Sequence, residues 1–168
     1  MKNLDVRNIL PSDNAALATI IRDCLTEFKA VKPNTVYFDE ATDRLSEVFT
    51  MDRSKYFVVT RNSEIVGGAG IFPTPDLDAD TCELVKLYLS AKARGKGIGK
   101  TLLTKCENAA KQMGYTKIYL ETMPELSIAV PLYEKTGYQY LSSAKGNSGH
   151  IGCGIWMLKE LNKDDCIA

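Results

Sequence analysis

The chain predicts a mixed α/β sandwich with one central sheet, and three observations point there. Short apolar runs of strand type alternate with segments whose apolar residues recur at helical spacing. A glycine-rich turn joins one such strand to one such helix. The length of 168 residues, with 45% hydrophobic and 25% charged residues, fits a single globular domain able to bury a real core.

The elements follow in chain order. Leu4 to Ile9 reads as a strand. Pro11-Ser12-Asp13 supplies turn and cap chemistry, after which Leu17, Ile20, Ile21, Cys24, Leu25 and Phe28 recur at helical spacing. Val31 to Asn34 is a loop, and Asp39 to Phe49 a second helix with Leu45 and Val48 as its apolar contacts. Tyr56 to Thr60 and Glu64 to Ile71 are strands joined by Arg61-Asn62-Ser63, the pattern of a β-hairpin. Pro73 to Asp80 is a polar loop, Cys82 to Ser90 a strand, and Ile98 to Met113 a helix ended by Gly114. Lys117 to Glu121 is a strand and Ser127 to Thr136 a short helix closed by Gly137. Tyr138 to Ser142 and Cys153 to Glu160 are the last strands.

Charge and composition exclude several classes. Twenty-one basic and 21 acidic residues cancel, which argues against a general nucleic-acid binder. The N-terminus lacks a signal-type apolar core and no window approaches ~20 continuous apolar residues, so a cytoplasmic protein without a membrane partner is expected. Five cysteines, Cys24, Cys82, Cys106, Cys153 and Cys166, include no C-x-x-C pair; reduced thiols are expected, with no disulfide framework and no metal site.

The stretch Arg94-Gly95-Lys96-Gly97-Ile98-Gly99-Lys100-Thr101 carries the chemistry. Backbone amides of such a turn converge on an anion, and the helix dipole points the same way. A nucleotidase P-loop would need glycine where Arg94 stands; the nearest glycine, Gly95, is one residue too close. The dinucleotide fingerprint G-x-G-x-x-G also fails, because Gly95, Gly97 and Gly99 run G-x-G-x-G. The pattern [QR]-x-x-G-x-[GA] fits Arg94 to Gly99 without a gap.

With that turn, the chain resembles the GNAT superfamily of N-acetyltransferases. Glu83-Leu84-Val85-Lys86-Leu87-Tyr88-Leu89 and the turn look like that family's strand-turn-helix cofactor motif. Ala129-Val130-Pro131-Leu132-Tyr133-Glu134-Lys135-Thr136-Gly137-Tyr138 looks like its second motif. The resemblance implies an acyl-CoA N-acyltransferase fold, with a central, mostly antiparallel sheet flanked by helices. It implies acetyl-CoA as co-substrate, with no metal. The pyrophosphate would be held at Gly95, Lys96, Gly97, Ile98, Gly99 and Lys100, with Arg94 and Lys135 nearby. The pantetheine arm would run along Leu87, Tyr88 and Leu89 as an added strand. The amide near Leu87 would face the thioester carbonyl, and Tyr133 would stand where the family's general acid meets the departing thiolate. Glu83 and Glu121 are both candidates for the base. Where many family members carry an asparagine, this chain has Leu126.

The acceptor side is less constrained. The glycine-rich stretch Lys145 to Cys153 holds His150, the one histidine of the chain, and the loop Lys29 to Phe38 brings Tyr37 and Phe38. These three are the candidate acceptor contacts. The implied reaction is direct acetyl transfer to a primary amine, of a small molecule rather than a protein. A non-catalytic acyl-CoA-binding domain of the same fold is the contrasting expectation. An exposed last strand would offer a route to a homodimer.

Overall fold

A computed structural model describes residues 3–161; Cys166 lies outside the described residues. Seven strands form one sheet in the order β1-β2-β3-β4-β5-β7-β6. They are β1 (Leu4–Asn8), β2 (Lys55–Arg61), β3 (Glu64–Phe72), β4 (Thr81–Leu89), β5 (Lys117–Thr122), β6 (Gln139–Tyr140) and β7 (Ile155–Glu160). Every neighbouring pair is antiparallel except β4 and β5. That parallel pair needs a crossover. It is made by α3 (Ile98–Gln112), whose N-terminus receives the glycine turn. Helix α1 (Asn14–Glu27) follows β1, α2 (Leu45–Val48) is a single turn, and α4 (Ala129–Lys135) links β5 to β6.

Period-two alternation sorts side chains to the two faces. On β2, Tyr56 and Val58 pack with Leu17, Ile21 and Leu25 of α1, while Phe57 and Val59 pack with Leu102, Leu103 and Cys106 of α3. Among the described residues Cys24, Cys82, Cys106 and Cys153 are free thiols. The β2–β3 turn is tight because Asn62 and Ser63 both adopt positive φ, 52° and 65°.

Three expectations need correction. The segment Asp39 to Phe49 is mostly a 3-10 helix over Glu40–Arg44, with only one α turn after it. The penultimate strand shrinks to two residues. The last strand, β7, is not an exposed edge: it pairs with β5 on one side and β6 on the other. On its β6 side, however, β7 is paired only at Met157 and Leu158.

Strand β3 carries Gly67-Gly68-Ala69-Gly70 in mid-sheet, which marks a close approach by another group. That group is the Tyr56 ring. A Cβ on Gly68 would lie 2.5 Å from Tyr56 Cε1 and 2.7 Å from the Phe57 carbonyl oxygen; on Gly70 it would lie 2.7 Å from Tyr56 Cδ2. Gly68→Ala is expected to cost about 1–3 kcal/mol of stability, because backbone stands in the way and a buried ring must shift. Urea denaturation checks this; an unchanged midpoint would show that the strand has slack.

Candidate active site

The site exists because β4 parts from β5. The two strands pair only from Thr81↔Lys117 to Leu84↔Leu120, while β4 continues to Leu89. The cause is a bulge on the other flank of β4: its register with β3 slips between Gly68↔Tyr88 and Gly70↔Val85. Lys86 sits in that bulge with φ 51°, a left-handed conformation that costs a lysine roughly 1 kcal/mol. Two anchors hold it there. Its carbonyl accepts a hydrogen bond of 2.9 Å from the Tyr56 hydroxyl. Its ammonium, with a side chain only 6% exposed, pairs with Asp39 at 3.0 Å. No sequence rule points to a lysine at positive φ, and Lys86 and Asp39 were not expected in the site.

The gap leads into two cavities that share Leu87, Tyr88, Leu126 and Ala129. The first, of about 210 Å³, runs past Leu87, Leu89, Ile128 and Leu132 to the glycine turn. Gly95 and Gly97 adopt φ 71° and 76° there, and a Cβ on either would meet nothing within 4 Å; conformation, not space, requires glycine. The first intrahelical bond of α3 runs from Thr101 N to the Gly97 carbonyl, so the amides of Ile98, Gly99 and Lys100 are left for an outside acceptor. An apolar trench ending in a cradle of free amides suits a pantetheine arm followed by a pyrophosphate.

Expected cofactor residues divide at this point. Leu87, Tyr88, Leu89, Arg94, Gly95, Gly97, Ile98, Gly99 and Lys100 line the first cavity. Lys96 does not; its ammonium turns back to the Lys92 carbonyl at 2.5 Å. Lys135 does not either, being exposed at the end of α4. Arg94 is present, but its charge is already matched. It pairs with both oxygens of Glu27 at 2.8 Å and stacks on Phe28 at 4.8 Å, and its Nε donates to the Leu89 carbonyl at 3.0 Å. Arg94 thus ties the turn to the end of α1. Its partner lies 67 residues away, beyond the reach of a local pattern.

The second cavity gathers Glu83, Glu121, Tyr133, His150, Lys86, Thr35 and Cys153. Glu83 and Glu121 share a face because Glu83 is registered opposite Tyr119 and alternation puts Tyr119 and Glu121 on one side. Their surroundings differ. Glu83 is 4% exposed and hydrogen-bonded by the Thr74 hydroxyl at one oxygen only. Burial raises its pKa to about 7; the Thr74 bond opposes this in part, and the neighbouring Glu121 charge adds to it. Both Glu121 oxygens accept hydrogen bonds, from the Tyr119 hydroxyl and the Ser148 hydroxyl, each at 2.8 Å. Tyr133 is buried, its ring 5.7 Å from that of Tyr138, and burial raises its pKa so that it keeps its proton. Its hydroxyl bonds no protein group among the described residues. Burial pushes the Cys153 thiol up to about 12, which disfavours a thiolate nucleophile.

Two loops wall the acceptor side. His150 stands 3.4 Å from Asp39 through Nε2, and this contact, then the Lys86 ammonium, holds the Asp39 carboxyl below the usual carboxylate range. Ser148 binds Glu121, Lys145 N donates to the Tyr119 hydroxyl at 3.0 Å, and Gly152 N reaches the Asn34 carbonyl at 3.4 Å. Phe38, 61% exposed, lines the entrance with Asp39, Ser148 and His150. Tyr37 lines neither cavity nor entrance; it packs toward α1, edge-on to Phe38 at 5.0 Å.

Residues 15–138 match the acetyltransferase (GNAT) family. The chain belongs to that family. A relative from Escherichia coli (strain K12), described as the uncharacterized N-acetyltransferase YjgM, is 38% identical over 158 residues, covering 93% of this chain and 94% of its own. The GNAT acetyltransferase of Staphylococcus aureus Mu50 has the same fold at a TM-score of 0.84 and 18% identity, covering 95% of this chain and 100% of that one. The yncA acetyltransferase of Salmonella typhimurium, solved with acetyl-CoA, superposes at 0.73 with 16% identity over 99% of each chain. This GNAT chain is thus an acetyl-CoA-dependent N-acetyltransferase. Among its described residues no helix is long and apolar enough to cross a membrane.

Proposed function

We propose that the enzyme transfers acetyl directly to a primary amine of a small molecule, with Glu83 as general base and Tyr133 as general acid. The observation that carries this reading is the buried Glu83 carboxyl, raised to about 7, in one chamber with a protonated Tyr133. Acetyl-CoA, lying along Leu87 to Leu89 with its pyrophosphate on the amides of α3, supplies an activated thioester. The amide of Leu87 hydrogen-bonds the thioester carbonyl. Glu83 takes a proton from the acceptor ammonium, directly or through one water. Tyr133 donates to the sulfur side. Glu121, committed at both oxygens, holds the loop that bears Ser148 and His150.

The acceptor chamber supports a small substrate. Its volume of about 60 Å³ has room for roughly four to six water-sized groups, enough for an amine head and a few heavy atoms. Two carboxylates, Glu83 and Glu121, line it with a single lysine, Lys86, whose ammonium is already paired with Asp39; among the described residues neither glutamate forms an ion pair. That balance favours an ammonium.

The test is thiol release from acetyl-CoA across free amino acids, simple alkyl amines and peptides with free N-termini. Saturable release with a free amine is expected. Release with peptides alone would overturn the small-molecule reading.

A further inference from the structure

The bulge that opens the cleft is fastened from two strands away. Tyr56 lies on β2, opposite Gly70 of β3, and is 1% exposed. Its ring crosses β3 over Gly68 and Gly70, where any side chain would collide with it, and Phe49 packs on it at 5.0 Å. The hydroxyl at the far end of the ring donates to the Lys86 carbonyl at 2.9 Å.

A trans peptide is planar, and its C=O and N–H point in opposite senses. The Lys86 carbonyl belongs to the same peptide plane as the Leu87 N–H, and the described chain has no cis bond. Drawing that carbonyl toward β2 and β3 turns the Leu87 N–H the other way, toward the gap that β5 leaves. Left-handed φ is costly for a lysine; the Lys86–Asp39 pair holds the side chain, and the Tyr56 hydroxyl holds the carbonyl of this plane.

We infer that Tyr56 is a positioning residue for catalysis: its hydroxyl, through the Lys86 carbonyl, aims the Leu87 amide at the substrate carbonyl. The inference rests on the reading that the Leu87 amide polarises the thioester.

The experiment combines kinetics with infrared difference spectroscopy of bound acetyl-CoA labelled at the carbonyl carbon. In the unaltered enzyme the labelled carbonyl band is expected below its position in free acetyl-CoA. In Tyr56→Phe the band moves back by at least half. kcat falls about 10-fold, KM for acetyl-CoA stays within twofold, and the pH at which activity bends is unchanged, since an amide out of line weakens only transition-state contacts. A lowered band in the unaltered enzyme that persists in Tyr56→Phe, with kcat intact, overturns the role of Tyr56 and leaves the amide reading standing. An unaltered enzyme with no band shift overturns the amide reading itself. A parallel fall of kcat and rise of KM marks general loosening and also overturns the inference. Circular dichroism verifies folding at the assay temperature. Should Tyr56→Phe unfold, ring-fluorinated tyrosine at position 56 keeps the shape and strengthens the donor. A band shift at least as large as that of the unaltered enzyme is then expected, and a smaller shift counts against the inference.

Discussion

Glu83→Gln is expected to lower kcat/KM by about 10²- to 10³-fold and to abolish the acid limb of its pH profile. In the unaltered enzyme kcat/KM should rise with pH and level off near 7, where burial places the Glu83 pKa. The side chain is isosteric with its replacement, so the lost rate reports the proton acceptor and not a cavity. A residual activity that still bends near the same pH would reassign the base. The same burial predicts an opposite effect on stability. The native pKa, about 7, lies above the ordinary 4.5. Protonated Glu83 is accommodated at low pH, and stability is lost as pH rises through this window. Glu83→Gln has no charge to bury, so at about pH 8 it should exceed the unaltered protein by up to ~3 kcal/mol, a gap that closes below about pH 4. Urea titrations at the two pH values read this directly. A less stable variant at the higher pH would show that the carboxylate is better solvated than its 4% exposure suggests.

Tyr133→Phe is expected to lower kcat by up to about 10²-fold while leaving the fold and CoA affinity nearly unchanged. Among the described residues the hydroxyl makes no hydrogen bond to protein, so its removal orphans no partner there, and the ring contact with Tyr138 at 5.7 Å survives. Because burial holds its pKa high, Tyr133 stays a donor across the working range and should add no bend of its own to the pH profile. A thiolate needs only modest help to leave. The deficit should therefore shrink with an acetyl thioester of a more acidic thiol. Steady-state kinetics with the two thioesters checks both statements. Turnover within twofold of the unaltered enzyme would remove Tyr133 from the chemistry.

The elements that sequence made legible are those with strong local signals. Helical spacing from Leu17 to Phe28, the Asn62-Ser63 turn and the spacing of Gly95, Gly97 and Gly99 depend on neighbours within a few residues. Those features placed the sheet, the crossover and the amide cradle. What stayed hidden depends on partners far along the chain. Arg94 looks like an available cation until Glu27 is found against it. Glu83 and Glu121 look equivalent until Thr74, Tyr119 and Ser148 distinguish their oxygens. Lys86 looks like a strand lysine until the hydrogen bond from Tyr56 and the ion pair with Asp39 account for its positive φ. One long-range signal was in fact present: three glycines among four residues of β3 announce that something lies across that strand.

The two acceptor loops meet each other and the ends of strands, chiefly through Ser148 to Glu121, His150 to Asp39 and Gly152 to Asn34. The cofactor half draws on a different set of groups: α3 amides, the Arg94–Glu27 clasp and the apolar trench. Apart from Asp39, which anchors Lys86 in the bulge, mutations in residues 32–38 and 145–153 can therefore accumulate with little effect on the donor's seat. A lineage built this way can exchange one amine for another by small edits to a replaceable mouthpiece, while the machinery behind it is inherited whole.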